Sequence, residues 1–130
     1  MLSRVYKPLS YVRLFRPRRE ALNHWLIQRV TAIALVPLSL WLIASIWKIV
    51  ISGVTFEIVE QWISSPINAV LILLFLGILF WHLKLGLQVV IEDYIHTKWL
   101  NTGMLITLKV AVSGLFIASV YSVISICLRI

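Results

Sequence analysis

The sequence holds one cysteine, Cys127, within an apolar stretch. A single thiol excludes an internal disulfide and any metal site built from cysteines, iron–sulfur clusters included. Cys127 reads as packing. Charge is scarce as well: 13% of the 130 residues are charged and only five are acidic. The stretch from Gly53 to Ser65 carries Glu57, Glu60 and Trp62 but no Lys or Arg. There is no glycine-rich phosphate loop, no convincing nucleophile–base pair, no internal repeat and no low-complexity segment. Nothing here lets the chain oxidise a substrate by itself. It reads as half of a membrane sector.

What is abundant is apolar surface. Hydrophobic residues make up 61% of the chain, with six Trp. A small water-soluble domain cannot bury that much, because small proteins bury proportionally less of their surface. The expected fold is therefore all-α, a single domain over residues 1–130 with three membrane-spanning helices at about 28–50, 67–91 and 102–128. The net charge of +7 is uneven. Arg4, Lys7, Arg13, Arg16, Arg18 and Arg19 all precede Glu20. Such a patch suits anionic lipid headgroups or the acidic surface of a partner, with nucleic acid a poor third. Residues 1–24 are expected to form a basic surface arm, irregular or broken at Pro8 and Pro17. The arm is expected to be retained, although an Arg-rich start also resembles a cleaved targeting segment.

The first span opens on His24-Trp25-Leu26-Ile27-Gln28-Arg29. Trp25 suits an interfacial anchor, and Arg29, one turn inside, must snorkel or find an anion. Thr31, Ser39 and Ser45 are its polar residues, with hydroxyls able to bond the preceding turn. Pro37 is expected to kink or open the helix. VTFEIVEQWI suits a short helix lying in the interface, and Ser65-Pro66 a start signal for the second span. That span should end near Glu92-Asp93, with a connection to about Asn101. In the third span, Gly114, Ser113, Ser119, Ser122 and Ser125 offer small positions for helix contact. Lys98 adds to the basic arm on one side; Lys48 and Arg129 stand on the other. The positive-inside rule then puts the N-terminus inside and the C-terminus outside.

The residues with chemistry gather on the second span, INAVLILLFLGILFWHLKLGLQVVIEDYIH. At about 100° per residue, Phe75, Ile78, His82, Gly86, Val89 and Asp93 share one sector, with Lys84 on the other side. His82 lies about 16 Å deeper than Asp93, near the midplane of a hydrocarbon core of roughly 30 Å. An ionisable residue at that depth is a functional-site candidate. One reading is a neutral histidine bonded to a neighbouring helix. The other is an axial ligand to haem iron, with space for the macrocycle beside Gly86. No second histidine lies at that depth, so a bis-histidine haem takes its other ligand from another chain. Arg29 either snorkels or pairs with haem propionates. Asp93 and Tyr94 are either interfacial residues or a proton-passing acid and a phenol donor for a quinone carbonyl.

Three spans in this order, with Gln28-Arg29-Val30-Thr31-Ala32 at the opening and His82-x3-Gly86-x6-Asp93-Tyr94 closing the second, resemble the hydrophobic membrane anchors of succinate dehydrogenase. The resemblance covers essentially the whole chain. It implies a subunit of succinate:ubiquinone oxidoreductase, complex II of the respiratory chain, without catalytic activity of its own. It implies an axial haem b ligand at His82, opposed by one from the cytochrome b556 subunit, and Arg29 near the propionates. Tyr94 and Asp93 match the tyrosine and acid of the ubiquinone site. The implied partners are the flavoprotein with FAD and the iron–sulfur subunit, docked on the inner face. The implied location is a bacterial or mitochondrial inner membrane. A haem-free, purely structural anchor is the alternative; a proton-coupled transporter is weaker, because its carboxylate belongs mid-span.

Overall fold

The computed structural model describes the backbone of residues 7–130 and the side chains of residue 20 and residues 22–130. Four helices follow in order: α1 (Lys7–Ser52), α2 (Phe56–Ser64), α3 (Pro66–Tyr94) and α4 (Lys98–Leu128). Among the described residues three stretches are long and apolar enough to cross a membrane: Leu22–Ser52, Pro66–Tyr94 and Lys98–Leu128. The all-α, three-span architecture read from hydropathy is therefore present.

The arm departs from expectation. From Lys7 onward it is helical and continuous with the first span. Pro8 falls in the first turn, where its missing N–H has no intrahelical partner to lose. Pro17 removes one backbone hydrogen bond, but Arg, Leu, Glu and Ala around it are strong helix formers. Pro37 likewise leaves the helix unbroken. Residues 1–6 and the basic side chains of residues 7–19 lie outside the described residues, and with them the arm's expected headgroup or partner contacts.

Gly53, at φ +86°, follows the end of α1 and turns the chain into the short helix α2. Only a residue without a Cβ takes that conformation at little cost. Thr55 then caps α2, its hydroxyl accepting from the Ile58 N–H at 3.3 Å, with Glu57 in the first turn against the helix dipole. α2 docks against the end of α4. Ser64 Oγ donates to the Ile126 carbonyl at 3.4 Å, and the Cys127 thiol lies 3.6 Å from the Ile63 carbonyl. Cys127 thus packs a helix junction. Ser65 and Pro66 open α3 as expected.

The second connection is only Ile95 to Thr97, and α4 begins earlier than the pattern suggests. Asn101 Nδ2 turns back to the Ile95 carbonyl at 2.9 Å, so this turn-forming residue belongs to the first helical turn. Along α4, Gly114 faces open space among the described residues, while Ser119 and Ser125 are half-buried. A Cβ on Gly114 would meet nothing within 4 Å, and Ser119 and Ser122 bond back to Leu115 and Ala118. The seam with α3 sets Phe116 against Gly77, where a Cβ would meet the ring at 3.8 Å, and pairs Phe80 edge-on with Phe116 at 6.2 Å.

α3 is the middle helix, packed against both α1 and α4, which barely meet each other. Among the described residues only Leu85, Val112 and Val123 are buried, while most large apolar side chains are exposed. In water that surface would be untenable. In lipid it is the normal outer face, since hydrocarbon is as apolar as leucine.

Candidate functional site

The seam between α1 and α3 is where polar residues enter the membrane span. The helices run antiparallel, so each turn toward the start of α1 meets the next turn along α3. Thr31 stands opposite His82, with Oγ1 to Nδ1 at 2.8 Å. One turn on, the Gln28 amide fills the space beside Gly86; a Cβ there would come within 3.4 Å of Nε2. The predicted sector of His82, Gly86 and Val89 therefore faces α1.

Beyond this pair the helices part into a groove of about 810 Å³. Glu20, His24, Trp25, Gln28 and Arg29 line it from α1, and Leu85, Gly86, Gln88, Val89 and Glu92 from α3. The Arg29 guanidinium sits 5.0 Å above the Trp25 ring, a cation–π contact that holds the side chain beside the groove. Gln88 donates to Glu92 at 3.0 Å. Gln28 Oε1 is buried and has no hydrogen-bond partner among the described residues. Such an acceptor is costly to leave unpaired, so the groove is suited to a ligand or partner that brings a donor.

Gly86 and Arg29 line this groove; His82, half-buried, lies one turn from Gly86 on the same seam but does not line it. Asp93 and Tyr94 do not join them. Both are exposed at the end of α3, Tyr94 at 80%, and neither lines the groove. Lys84 lies elsewhere, 4.9 Å over Trp81. Sequence reasoning missed Gln28 and the inter-helix role of Thr31. The available signal was the run of polar positions His24, Gln28 and Thr31, spaced four and three apart on one face of an apolar span. Among the described residues no three His, Cys, Asp or Glu side chains converge on a point.

Residues 3–122 match the family of succinate dehydrogenase/fumarate reductase transmembrane subunits. The chain belongs to this family. It is 41% identical to the succinate dehydrogenase hydrophobic membrane anchor subunit of Rickettsia bellii over 87 residues, 67% of this chain and 68% of that one. The Rickettsia felis subunit of the same description is 30% identical over 96 residues, covering 74% and 78%. The succinate dehydrogenase membrane anchor subunit of Reclinomonas americana is 36% identical over 75 residues, covering 56% and 62%. No solved structure matches significantly. The resemblance read from the two motifs is thereby established. The chain is a multi-pass inner-membrane anchor, a non-catalytic subunit by family.

Proposed function

We propose that this anchor supplies one axial ligand of haem b, at His82, and part of a ubiquinone-reduction site, at Tyr94 and Asp93, within succinate:ubiquinone oxidoreductase. The observation that carries the reading is the state of His82. One ring nitrogen is engaged by Thr31, and the other has no hydrogen bond among the described residues. A neutral imidazole with one free nitrogen suits haem iron. Gly86 lets the Gln28 amide lie against α3 one turn from His82, and Arg29 offers a guanidinium that pairs well with carboxylates such as propionates. When bound, haem stores and passes single electrons. The opposite ligand would come from the cytochrome b556 subunit.

Tyr94 and Asp93 end the helix that carries His82, about 16 Å along it. Exposure leaves the phenol free to donate to a quinone carbonyl arriving through lipid, with Asp93 beside it to relay protons. The basic N-terminal arm supports an inside N-terminus and an outside C-terminus, with the flavoprotein and the iron–sulfur subunit docked on the inner face. FAD and the iron–sulfur clusters belong to those partners.

A second reading has an observation of its own. The Thr31 bond already gives His82 a polar partner, as a haem-free structural anchor would require. A dithionite-reduced optical spectrum of the purified complex separates the two: a b-type α band supports haem, and its absence at stoichiometric protein favours the structural anchor. Tyr94→Phe tests the quinone site, because it removes one oxygen and keeps the ring. Losing a hydrogen bond of about 1–3 kcal/mol lowers succinate–ubiquinone reductase activity roughly ten- to a hundredfold. Succinate oxidation by a soluble dye and haem content should stay near parent levels. Equal quinone rates in mutant and parent would defeat the assignment; a parallel fall in both would indicate damaged docking instead.

A further inference from the structure

We infer that Thr31 is a positioning residue that fixes the ring tautomer of His82, presenting Nε2 as the ligating nitrogen; the inference rests on the haem reading of His82. The Thr31 hydroxyl has one proton and three close neighbours. The Ile27 carbonyl is at 2.8 Å, the Gln28 carbonyl at 3.1 Å and His82 Nδ1 at 2.8 Å. Carbonyl oxygens only accept. If the hydroxyl donated to Nδ1, its oxygen would face the Ile27 oxygen at 2.8 Å with no proton between them. The arrangement that satisfies every contact sends the hydroxyl proton to the carbonyls and leaves the oxygen to accept from Nδ1–H. In the neutral ring Nε2 then keeps its lone pair. That is the state a metal-bound histidine needs, with its second nitrogen donating to an oxygen that holds the ring and raises its basicity.

The backbone of α1 thereby reaches the His82 ring of α3 through one hydroxyl. It is the one side-chain hydrogen bond joining α1 to α3 among the described residues, and it spans 51 positions in sequence. The relay also gives the ligand a fixed direction. The Ile27 and Gln28 carbonyls hold the hydroxyl on the helix, and the hydroxyl holds the ring. A more basic ligand favours ferric over ferrous iron, so removing the acceptor should raise the haem midpoint potential.

Two variants and one spectrum test this. Thr31→Val keeps the branched shape and removes the acceptor; Thr31→Ser keeps the hydroxyl. In the assembled complex, Thr31→Val should weaken haem retention by about ten- to a hundredfold, the usual effect of removing such a supporting bond, and raise the midpoint potential. Thr31→Ser should match the parent in both. Parent-like values in Thr31→Val, or a fall in Thr31→Ser equal to that in Thr31→Val, overturns the inference. The second measurement needs neither haem nor assembly. Nitrogen NMR of the full chain in lipid nanodiscs, with labelled histidine, should show His82 protonated at Nδ1 in the parent and not predominantly so in Thr31→Val. A parent ring protonated at Nε2 overturns the tautomer assignment. A His82→Ala complex that keeps its haem unchanged overturns the haem reading instead, and the nitrogen spectrum still decides whether Thr31 sets the tautomer.

Discussion

Against α1, the second span sets His82, Leu85 and Gly86 beside Thr31 and Gln28; against α4, it sets Gly77 and Phe80 beside Phe116. Both seams place a glycine where another helix approaches, yet they use it differently. At Gly77 the neighbour is an aromatic ring, and even a Cβ there would meet it at an ordinary 3.8 Å. Gly86 admits an amide, and the helices then part into a polar groove. In lipid, helix association gains little from burying apolar surface, so packing alone can hold the α3/α4 seam. A histidine, a threonine and an unpaired glutamine oxygen add little to such packing and cost desolvation. An ionisable group within a span is a candidate for function, and the α1/α3 seam is where His82 meets its polar neighbours.

The strongest way to break this contrast is to add bulk to each side. Gly86→Leu drives a side chain into the Gln28 amide and the turn beside His82. Overpacking of that kind costs about 1–3 kcal/mol, and haem occupancy, measured as the pyridine hemochrome, should fall. Gly114→Leu faces open space in this chain and should leave occupancy unchanged. The reverse outcome would put the functional face on the wrong helix. A smaller effect sharpens the other seam. Phe116→Ala removes the edge-on pair with Phe80, worth about 0.5–1.5 kcal/mol beyond its area. Thermal denaturation of the complex should shift down modestly, with haem content and spectrum at parent values. Haem loss on that substitution would show that the two seams are not independent.

Much of this architecture is legible in the residues, for a physical reason. Three long apolar runs in a short chain have few options besides crossing a membrane, and Ser65-Pro66 starts a helix by local chemistry alone. The misreadings share a cause too. Pro8 and Pro17 signal interruption, but position in the turn and strong helix-forming neighbours decide the outcome at the arm. Asn101 signals a loop, but its amide closes back on Ile95 inside a helix. Gly114 suggests contact but faces open space among the described residues, and which side of α4 meets α3 depends on tertiary packing that no local pattern encodes. At the site, His82 and Gly86 stand out because a histidine in an apolar span is conspicuous. Thr31 does not, because a helical threonine ordinarily bonds back to its own turn. It does so here as well, and its second role depends on a ring 51 residues away. Tyr94 and Asp93 stand out by position at a span end; the groove reaches that end of α3 through Glu92 instead, so it is the side of the helix turned to α1, not its length, that leaves them out.

The central claim is that the α1/α3 seam holds a haem through His82, and the assembled His82→Ala complex tests it most directly. Haem content, the reduced α band and the midpoint potential would be measured beside subunit content and succinate–dye activity. The account predicts haem lost or its potential clearly shifted, with the subunits still assembled and dye reduction retained. Haem content and potential identical to the parent would contradict it and remove His82 from the axial position.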